Sequence, residues 1–219
     1  MARRLDDLSA YPPSVQRLIE AFAALPGVGR RSAERMAFWV LKAPEETAMQ
    51  LPAAIAQVKK TVRHCAICWN LSDESPCPLC ADPARDASTI LIVEQPRDMA
   101  SLEQSGMYRG LFHVLMGRLD PLSGVGEDTL TSADLLQRVR EPGRNARGVK
   151  VQEVIFGLNP DLEGDTTALV LADRLKDCGV RLSRLGRGLS AGSPIEFASR
   201  GVLADAIASR QQMDPHSSR

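Results

Sequence analysis

Four cysteines within sixteen residues constrain this chain more than any other feature of its sequence. They follow the pattern C-x2-C-x8-C-x2-C, at Cys65, Cys68, Cys77 and Cys80. The intervening segment, WNLSDESP, has no apolar periodicity, so burial alone cannot hold it together. In a reducing compartment, paired CxxC units are typical of metal ligands, and four thiolates leave no open coordination position for water. We therefore predict one structural zinc ion, with two disulfides or an iron site as the alternatives.

Composition places the chain among ordinary globular proteins. Of its 219 residues, 44% are hydrophobic and 25% are charged, which excludes a disordered chain. No apolar run reaches the length of a membrane span, and no apolar core of a secretory signal follows the N-terminal charges. We therefore expect a cytoplasmic protein with no membrane partner.

The charges are balanced overall but unevenly distributed. The chain carries 27 basic and 27 acidic residues. Residues 1–64 contain ten Lys or Arg and six Asp or Glu, a net charge of +4, whereas residues 65–87 contain one Arg and four acids, a net charge of −3. The N-terminal quarter is therefore the expected contact region for a polyanion.

A helical hairpin is predicted in that basic quarter. Apolar residues recur at helical spacing over 14–24, where Ser14 is the expected N-cap, and again over 30–41. Between them, the segment LPGVG predicts a tight turn. A third helix is predicted over residues 45–62, interrupted near Pro52.

This hairpin is suited to phosphate binding. Gly27 and Gly29 allow close approach of backbone N–H groups to a phosphate, and the following helix N-terminus adds partial positive charge. Arg30, Arg31 and Arg35 lie in its first turns. Such contacts would bind the nucleic-acid backbone without reading bases. The alternative is a hairpin packed for stability with solvated arginines.

The remainder of the chain has the pattern of a parallel α/β sheet. Short β-branched or apolar segments alternate with helical periodicity, which is typical of strands joined by helical crossovers. Strands are predicted over 88–93, 109–116, 151–158 and 180–186, and helices over 131–140, 165–178 and 200–209.

Acidic residues follow two of these strands. Glu94 ends the first, and Asp161, Glu163 and Asp165 follow the third. Ligands of open α/β sheets gather at the carboxyl ends of strands, and carboxylates there suit Mg²⁺. The alternative is a set of solvated loop acids, with Asp165 helping to cap the next helix.

Three other reactive side chains have simpler interpretations. His113 lies in an apolar segment and is predicted to be a core histidine. Cys178, near the end of a helical pattern, is expected to be a buried thiol. His64 adjoins the cysteine cluster and is a reserve candidate for metal ligation.

Taken in order, these motifs resemble the bacterial recombination mediator family RecR. The resemblance covers nearly the whole chain and is carried by the motifs LPGVGRRSAERMAF, the four-cysteine pattern, ILIVEQPRDM, YRGLFHVLMGRLDPLSGVGEDTL, VIFGLNPDLEGDTTA and GLSAGSPIEF.

The resemblance implies a multi-module α+β architecture. Its parts would be a helix-hairpin-helix DNA-binding module at 1–64, a C4 zinc finger at 65–80, an α/β Toprim domain with a parallel sheet at 88–185, and a Walker B-like C-terminal segment and tail at 186–219. The basic positions of the family would match Arg31 and Arg35, and the Toprim acidic positions would match Glu94, Glu163 and Asp165.

The resemblance also implies a function. Proteins of this family are not known as catalysts; they act with RecO, and in many bacteria with RecF, to load RecA onto single-stranded DNA at gaps. They assemble into dimers and ring-shaped tetramers that encircle DNA, and they associate with the nucleoid during repair. The resemblance therefore implies sequence-independent binding of single- and double-stranded DNA.

Two alternatives remain open at the level of sequence. One is a Mg²⁺-dependent Toprim nuclease or topoisomerase-type enzyme, and the other is a scaffold that binds only proteins. One departure from the family also stands out: Ser199 and Arg200 occupy a stretch where family members usually carry an acid, which leaves Glu196 as the sole nearby acid.

Overall fold

The computed structural model describes residues 11–210, which divide into two compact units between Thr61 and Val62. The first ten residues of the predicted N-terminal module and the last nine of the predicted C-terminal segment lie outside the described residues. The described residues of the N-terminal unit form three helices: α1 (Pro13–Ala23), α2 (Arg30–Lys42) and α3 (Glu45–Thr61).

The second unit begins with a small element that contains the four cysteines and continues as an α/β domain. The small element comprises strands β1 (Arg63–His64) and β2 (Leu71–Ser72) and the short helix α4 (Pro78–Ala81). The α/β domain comprises β3 (Asp86–Val93), α5 (Pro96–Gln104), β4 (Gly110–Val114), α6 (Ser132–Arg140), β5 (Glu153–Phe156), α7 (Leu162–Leu175), β6 (Arg181–Arg184) and α8 (Arg200–Ala208).

The four longer strands form one parallel sheet in the order β4-β3-β5-β6, which confirms the predicted α/β class. Along the chain, β4 is added beside β3 at one edge of the sheet. Later in the chain, β6 is added beside β5 at the opposite edge. The gap between the ends of β3 and β5 is therefore the topological switch point, where ligands of such sheets usually bind.

Alternation along β3 builds a core on both faces of the sheet. Ile90 and Ile92 are fully buried against apolar residues of α6 and α7. Leu91 and Val93 point to the opposite face, where they pack with Met99 of α5. Because successive side chains of a strand alternate between faces, one apolar segment supports both layers.

The N-terminal hairpin has its own small core. Ile19 of α1 packs against Ala33 and Ala37 of α2, all at most 1% exposed. The two alanines are one helical turn apart, so they allow the helices to approach closely. Helix α3, in contrast, has no buried residue among those described.

Three local predictions are wrong. Pro12, not Ser14, occupies the N-cap of α1, because Pro13 takes the first helical position. Pro52 does not interrupt α3. A proline leaves the carbonyl one turn earlier without its hydrogen bond, but α3 is exposed, so water can hydrate that carbonyl. Helix α7 begins at Leu162 instead of residue 165, and its N-cap is Asp161.

Two predictions of burial have different outcomes. His113 is fully buried, as predicted, and its Nε2 lies 3.0 Å from Thr131 Oγ1. Cys178 is only half-buried at the edge of the main core. Within residues 11–210, no helix combines the length and apolarity needed to cross a membrane.

Candidate metal centre and nucleic-acid interface

The four predicted cysteines form a closed cluster. Their Sγ atoms all lie within 4.8 Å of one another, and each cysteine is at most 2% exposed. Cys68 Sγ lies 3.6 Å from Cys77 Sγ. Tetrahedral zinc with Zn–S bonds of about 2.3 Å requires sulfur separations of about 3.8 Å, so the cluster fits this ion.

Backbone hydrogen bonds shape the two loops that carry the thiols. The N–H of Cys65 donates to Asn70 O (2.8 Å) and the N–H of Trp69 donates to Cys65 O (3.0 Å), which closes the first loop. Trp69 adopts a left-handed conformation with φ of 63° at the end of this loop. The N–H of Cys77 donates to Cys65 Sγ at 3.3 Å, which joins the second loop to the first.

His64 does not join the cluster. Its Nδ1 lies 3.2 Å from Trp69 O, and its ring is 5.5 Å from the Trp69 ring. Among the described residues, the cluster therefore consists of the four thiols without a fifth ligand.

The segment that carries the four cysteines, residues 62–82 (the cysteine knuckle), is hydrogen-bonded to the α/β domain through its backbone. The N–H of Val114, at the end of β4, donates to Cys68 O at 2.8 Å. The guanidinium of Arg147 donates to the carbonyls of Cys80 (3.2 Å), Asp82 (2.8 Å) and Arg85 (2.7 Å). The loops that carry the cysteines are thus hydrogen-bonded directly to the α/β domain.

The predicted glycine turn lies between α1 and α2. Gly27 has a φ of +78°, a conformation that L-residues with side chains rarely adopt. Gly29 is the N-cap of α2; no side chain caps this terminus and its first turn contains no acidic residue. The first N–H groups of α2 therefore remain open to an anion.

The three predicted arginines differ in their surroundings. All three are exposed, but Arg30 lies 3.7 Å from Glu34, so part of its charge is compensated. Arg31 and Arg35 have no ion-pair partner within residues 11–210. They are four residues apart on one helix and share a face, as their spacing predicts.

The predicted acidic residues gather near the switch point of the sheet. Glu94, only 4% exposed, follows β3. Its Oε1 accepts a hydrogen bond from the N–H of Asn159 at 2.7 Å, and its Oε2 accepts one from Asn159 Nδ2 at 2.8 Å. Both oxygens of this carboxylate are therefore already engaged by the loop after β5.

Asp161 and Asp165 are engaged too. Asp161 accepts from the N–H of Gly164 at 2.9 Å and forms a close ion pair with Arg118, whose Nη1 is also 3.8 Å from Glu94 Oε2. Asp165 pairs with Arg187 and with Arg184, and the hydrogen bond from Arg187 lowers the pKa of this carboxyl.

Glu163 stands apart from the other acids. It is half-buried in the first turn of α7, and its carboxylate has no hydrogen-bond or ion-pair partner among the described residues. Of the three predicted Toprim acids, Glu163 is thus the one whose carboxylate has no such partner within residues 11–210 and could contact another molecule.

The sequence interpretation missed the cationic and amide partners of these acids. They are Arg118, Asn159, Arg184 and Arg187. Arg118 follows β4 and Asn159 follows β5, so the argument that identified the acids at strand ends also applies to them. Arg184 and Arg187, at the end of β6 and beyond it, could have been found in the same way.

The departure at Ser199 has a structural role. The Ser199 hydroxyl accepts a hydrogen bond from the N–H of Val202 and caps α8. The Ser209 hydroxyl at the end of this helix lies 3.3 Å from Arg187 O. The C-terminal segment is therefore connected to the arginine that binds Asp165.

Comparison with known families assigns all three parts of the chain. The model of the RecR helix-hairpin-helix matches residues 15–59, that of the RecR four-cysteine zinc finger domain matches residues 62–82, and that of the Toprim domain matches residues 88–186. These define the class: a protein with a helix-hairpin-helix, a four-cysteine zinc finger and a Toprim domain. The zinc-finger match and the four-thiol geometry together establish that the cysteines bind one structural zinc ion.

Similarity to curated proteins extends over almost the whole chain. Proteins named Recombination protein RecR are 43% identical in Rhodopirellula baltica, 44% in Bifidobacterium longum subsp. infantis and 42% in Moorella thermoacetica. The alignments cover 93–94% of this chain and 98–100% of those proteins. The chain belongs to the RecR family.

Proposed function

We propose that this chain is a non-catalytic, DNA-binding recombination mediator in DNA repair. It acts with RecO, and with RecF where that protein is present, to load RecA onto single-stranded DNA at gaps. It works in the cytoplasm and associates with the nucleoid during repair. The names of its relatives, Recombination protein RecR, support the general role.

The α2 N-terminus is the observation that carries the DNA-binding part. Its N–H groups have no side-chain cap, and the exposed Arg31 and Arg35 lie in the same helix without an acidic partner in residues 11–210. Backbone amides and guanidinium groups bind phosphate oxygens and not bases. Binding should therefore be independent of sequence and open to single- and double-stranded DNA.

Exposed apolar side chains in the same unit support self-assembly. Helices α2 and α3 expose large apolar residues by 54–58%, namely Trp39, Leu41, Met49, Ile55 and Val58. A surface of this kind is typical of a protein interface. We propose a homodimer or ring-shaped homotetramer, in which several weak DNA-binding hairpins act together and raise the overall affinity.

The paired state of the Toprim acids supports a non-catalytic role. Glu94, Asp161 and Asp165 are each bonded to side chains or backbone groups of the same chain. Glu163 is the free carboxylate that we assign to partner contact. Because several carboxylates do gather at the switch point of a Toprim domain, a Mg²⁺-dependent nuclease or topoisomerase-type enzyme is the second candidate.

The decisive experiment combines light scattering with binding to labelled gapped DNA, with and without RecO. The proposal expects an oligomer that binds gapped DNA alone or together with RecO. A strictly monomeric chain that does not bind gapped DNA, even in the presence of RecO, would contradict the proposal.

Cleavage assays separate the two candidates. Incubation of labelled DNA with the protein and Mg²⁺ or Mn²⁺ should leave the DNA intact. Cleavage that disappears in Glu94→Gln would establish the enzyme instead.

A further inference from the structure

The Toprim carboxylates carry their own cation. We propose that Arg118 is a built-in counter-ion that occupies the place of a divalent metal between Glu94 and Asp161, and that its removal would create a metal site there. This inference deepens the proposed non-catalytic function and rests on it, because it gives a physical reason for the absence of metal-dependent turnover.

The acidic residues as arranged do not fit a divalent metal. Mg²⁺ requires near-octahedral oxygen coordination and is usually held by one or two carboxylates plus water. Each oxygen of Glu94 accepts one hydrogen bond from Asn159 and keeps a second lone pair, but Arg118 Nη1 lies 3.8 Å from Oε2, on the side where a metal would bind. Asp161 uses one oxygen for the N–H of Gly164 and the other for Arg118.

Arg118 is placed to satisfy two carboxylates at once. Its Nη1 pairs closely with Asp161 Oδ2 and lies 3.8 Å from Glu94 Oε2. The Glu94 side chain is only 6% exposed, so its charge would be costly without a nearby cation. The Asp161 carboxylate raises the pKa of Arg118, so the guanidinium remains charged at every physiological pH.

The net charge of the region also disfavours a divalent metal ion. Four carboxylates, Glu94, Asp161, Glu163 and Asp165, share the region with three guanidinium groups, Arg118, Arg184 and Arg187. The remaining charge of −1 offers little attraction for a doubly charged ion. Because Arg118 is part of the same chain, its effective concentration at the site far exceeds that of a free cation.

Mn²⁺ titration of the full-length, zinc-loaded protein tests this directly, with free Mn²⁺ followed by electron paramagnetic resonance. Mn²⁺ prefers oxygen ligands and binds thiolate sites less tightly than zinc, so the cysteine cluster does not compete. Arg118→Gln should bind one Mn²⁺ per chain roughly tenfold or more tightly than the wild type. Adding Glu94→Gln to this variant should abolish the gain.

Two variants serve as controls. Arg184→Gln removes a guanidinium from the same region but leaves Arg118 on Glu94 and Asp161, so it should not gain a Mn²⁺ site. Arg118→Lys keeps the cation and should also gain none. Circular dichroism of each variant confirms folding, which is expected because the Arg118 side chain is 36% exposed.

Two outcomes would overturn the inference. One is unchanged Mn²⁺ affinity in Arg118→Gln, which would show that the arginine does not block a metal site. The other is tight Mn²⁺ binding by the wild type that Glu94→Gln abolishes, which would show that metal and arginine coexist. Neither outcome depends on DNA binding, and the cleavage assay tests turnover separately, so failure here is distinguishable from failure of the proposed function.

Discussion

Asn159 donates both its backbone N–H and its side-chain amide to the two carboxylate oxygens of Glu94, at 2.7 and 2.8 Å. The pair joins the ends of β3 and β5 across the switch point of the sheet. Glu94 is 4% exposed, so the carboxylate has exchanged most of its hydration for these two contacts and the nearby Arg118.

Loss of the Asn159 side chain should therefore destabilise the protein. Asn159→Ala leaves one oxygen of a buried carboxylate without its amide donor, and the free energy of unfolding should fall by about 1–3 kcal/mol. Urea denaturation of the zinc-loaded protein measures this. In a Glu94→Gln background the same substitution should cost less, and equal losses in both backgrounds would argue against the Glu94–Asn159 contact.

Zinc should be required for folding of the knuckle. Cys77→Ser removes one of four buried thiolates, so the variant should lose most of the single equivalent of zinc per chain and should be prone to unfolding. Cys178→Ser, outside the cluster and half-buried, is the matched control and should retain the metal. Elemental analysis of both variants checks this, and a Cys77→Ser protein with full zinc content would contradict the assignment.

Protonation of His113 should reduce stability in mild acid. Burial lowers the pKa of His113 to about 3, whereas the unfolded chain titrates near about 6.5. Well above pH 6.5, His113 is neutral in both the folded and the unfolded protein. As the pH falls below about 6.5, His113 takes up a proton only in the unfolded protein, so the free energy of unfolding decreases. The change attributable to His113 approaches about 1.4 kcal/mol per pH unit.

His113→Gln is the appropriate comparison, since its amide can still reach Thr131 but does not titrate. Unfolding free energies of both proteins should follow similar curves above pH 7, and the wild-type curve should fall more steeply from about pH 6.5 toward about pH 5.5. Parallel curves across this range would show that His113 is not held neutral in the folded protein.

The sequence predicted the features that depend on residue type and spacing. The cysteine spacing indicated the metal site, because thiols at fixed separations have few other uses in a reducing compartment. Helical periodicity located α1 and α2, and β-branched segments located the parallel strands. The position of Glu94 followed from the predicted end of β3, and that of the Gly27 turn from the gap between the two predicted helices.

Features that depend on contacts between distant residues could not be predicted in this way. Both hydrogen bonds that the Glu94 carboxylate accepts come from Asn159, 65 residues further along the chain. The sequence predicted a helix from residue 165, whereas α7 begins at Leu162 with Asp161 as its N-cap. One oxygen of Asp161 accepts a hydrogen bond from the N–H of Gly164, and the other oxygen pairs with Arg118, which lies far away in the sequence.

The salt dependence of DNA binding tests the central claim most directly. Each lost phosphate contact should reduce the slope of log affinity against log salt concentration by about 0.7–0.9, so Arg31→Ala/Arg35→Ala should reduce it by about 1.4–1.8 on gapped DNA. The charge-matched control is Arg97→Ala/Lys176→Ala, which removes two exposed cations that already neighbour acids. The account predicts a shallower slope and weaker binding in the first double variant alone. Wild-type slope and affinity in that variant would contradict the assignment of the α2 N-terminus as the DNA-binding surface.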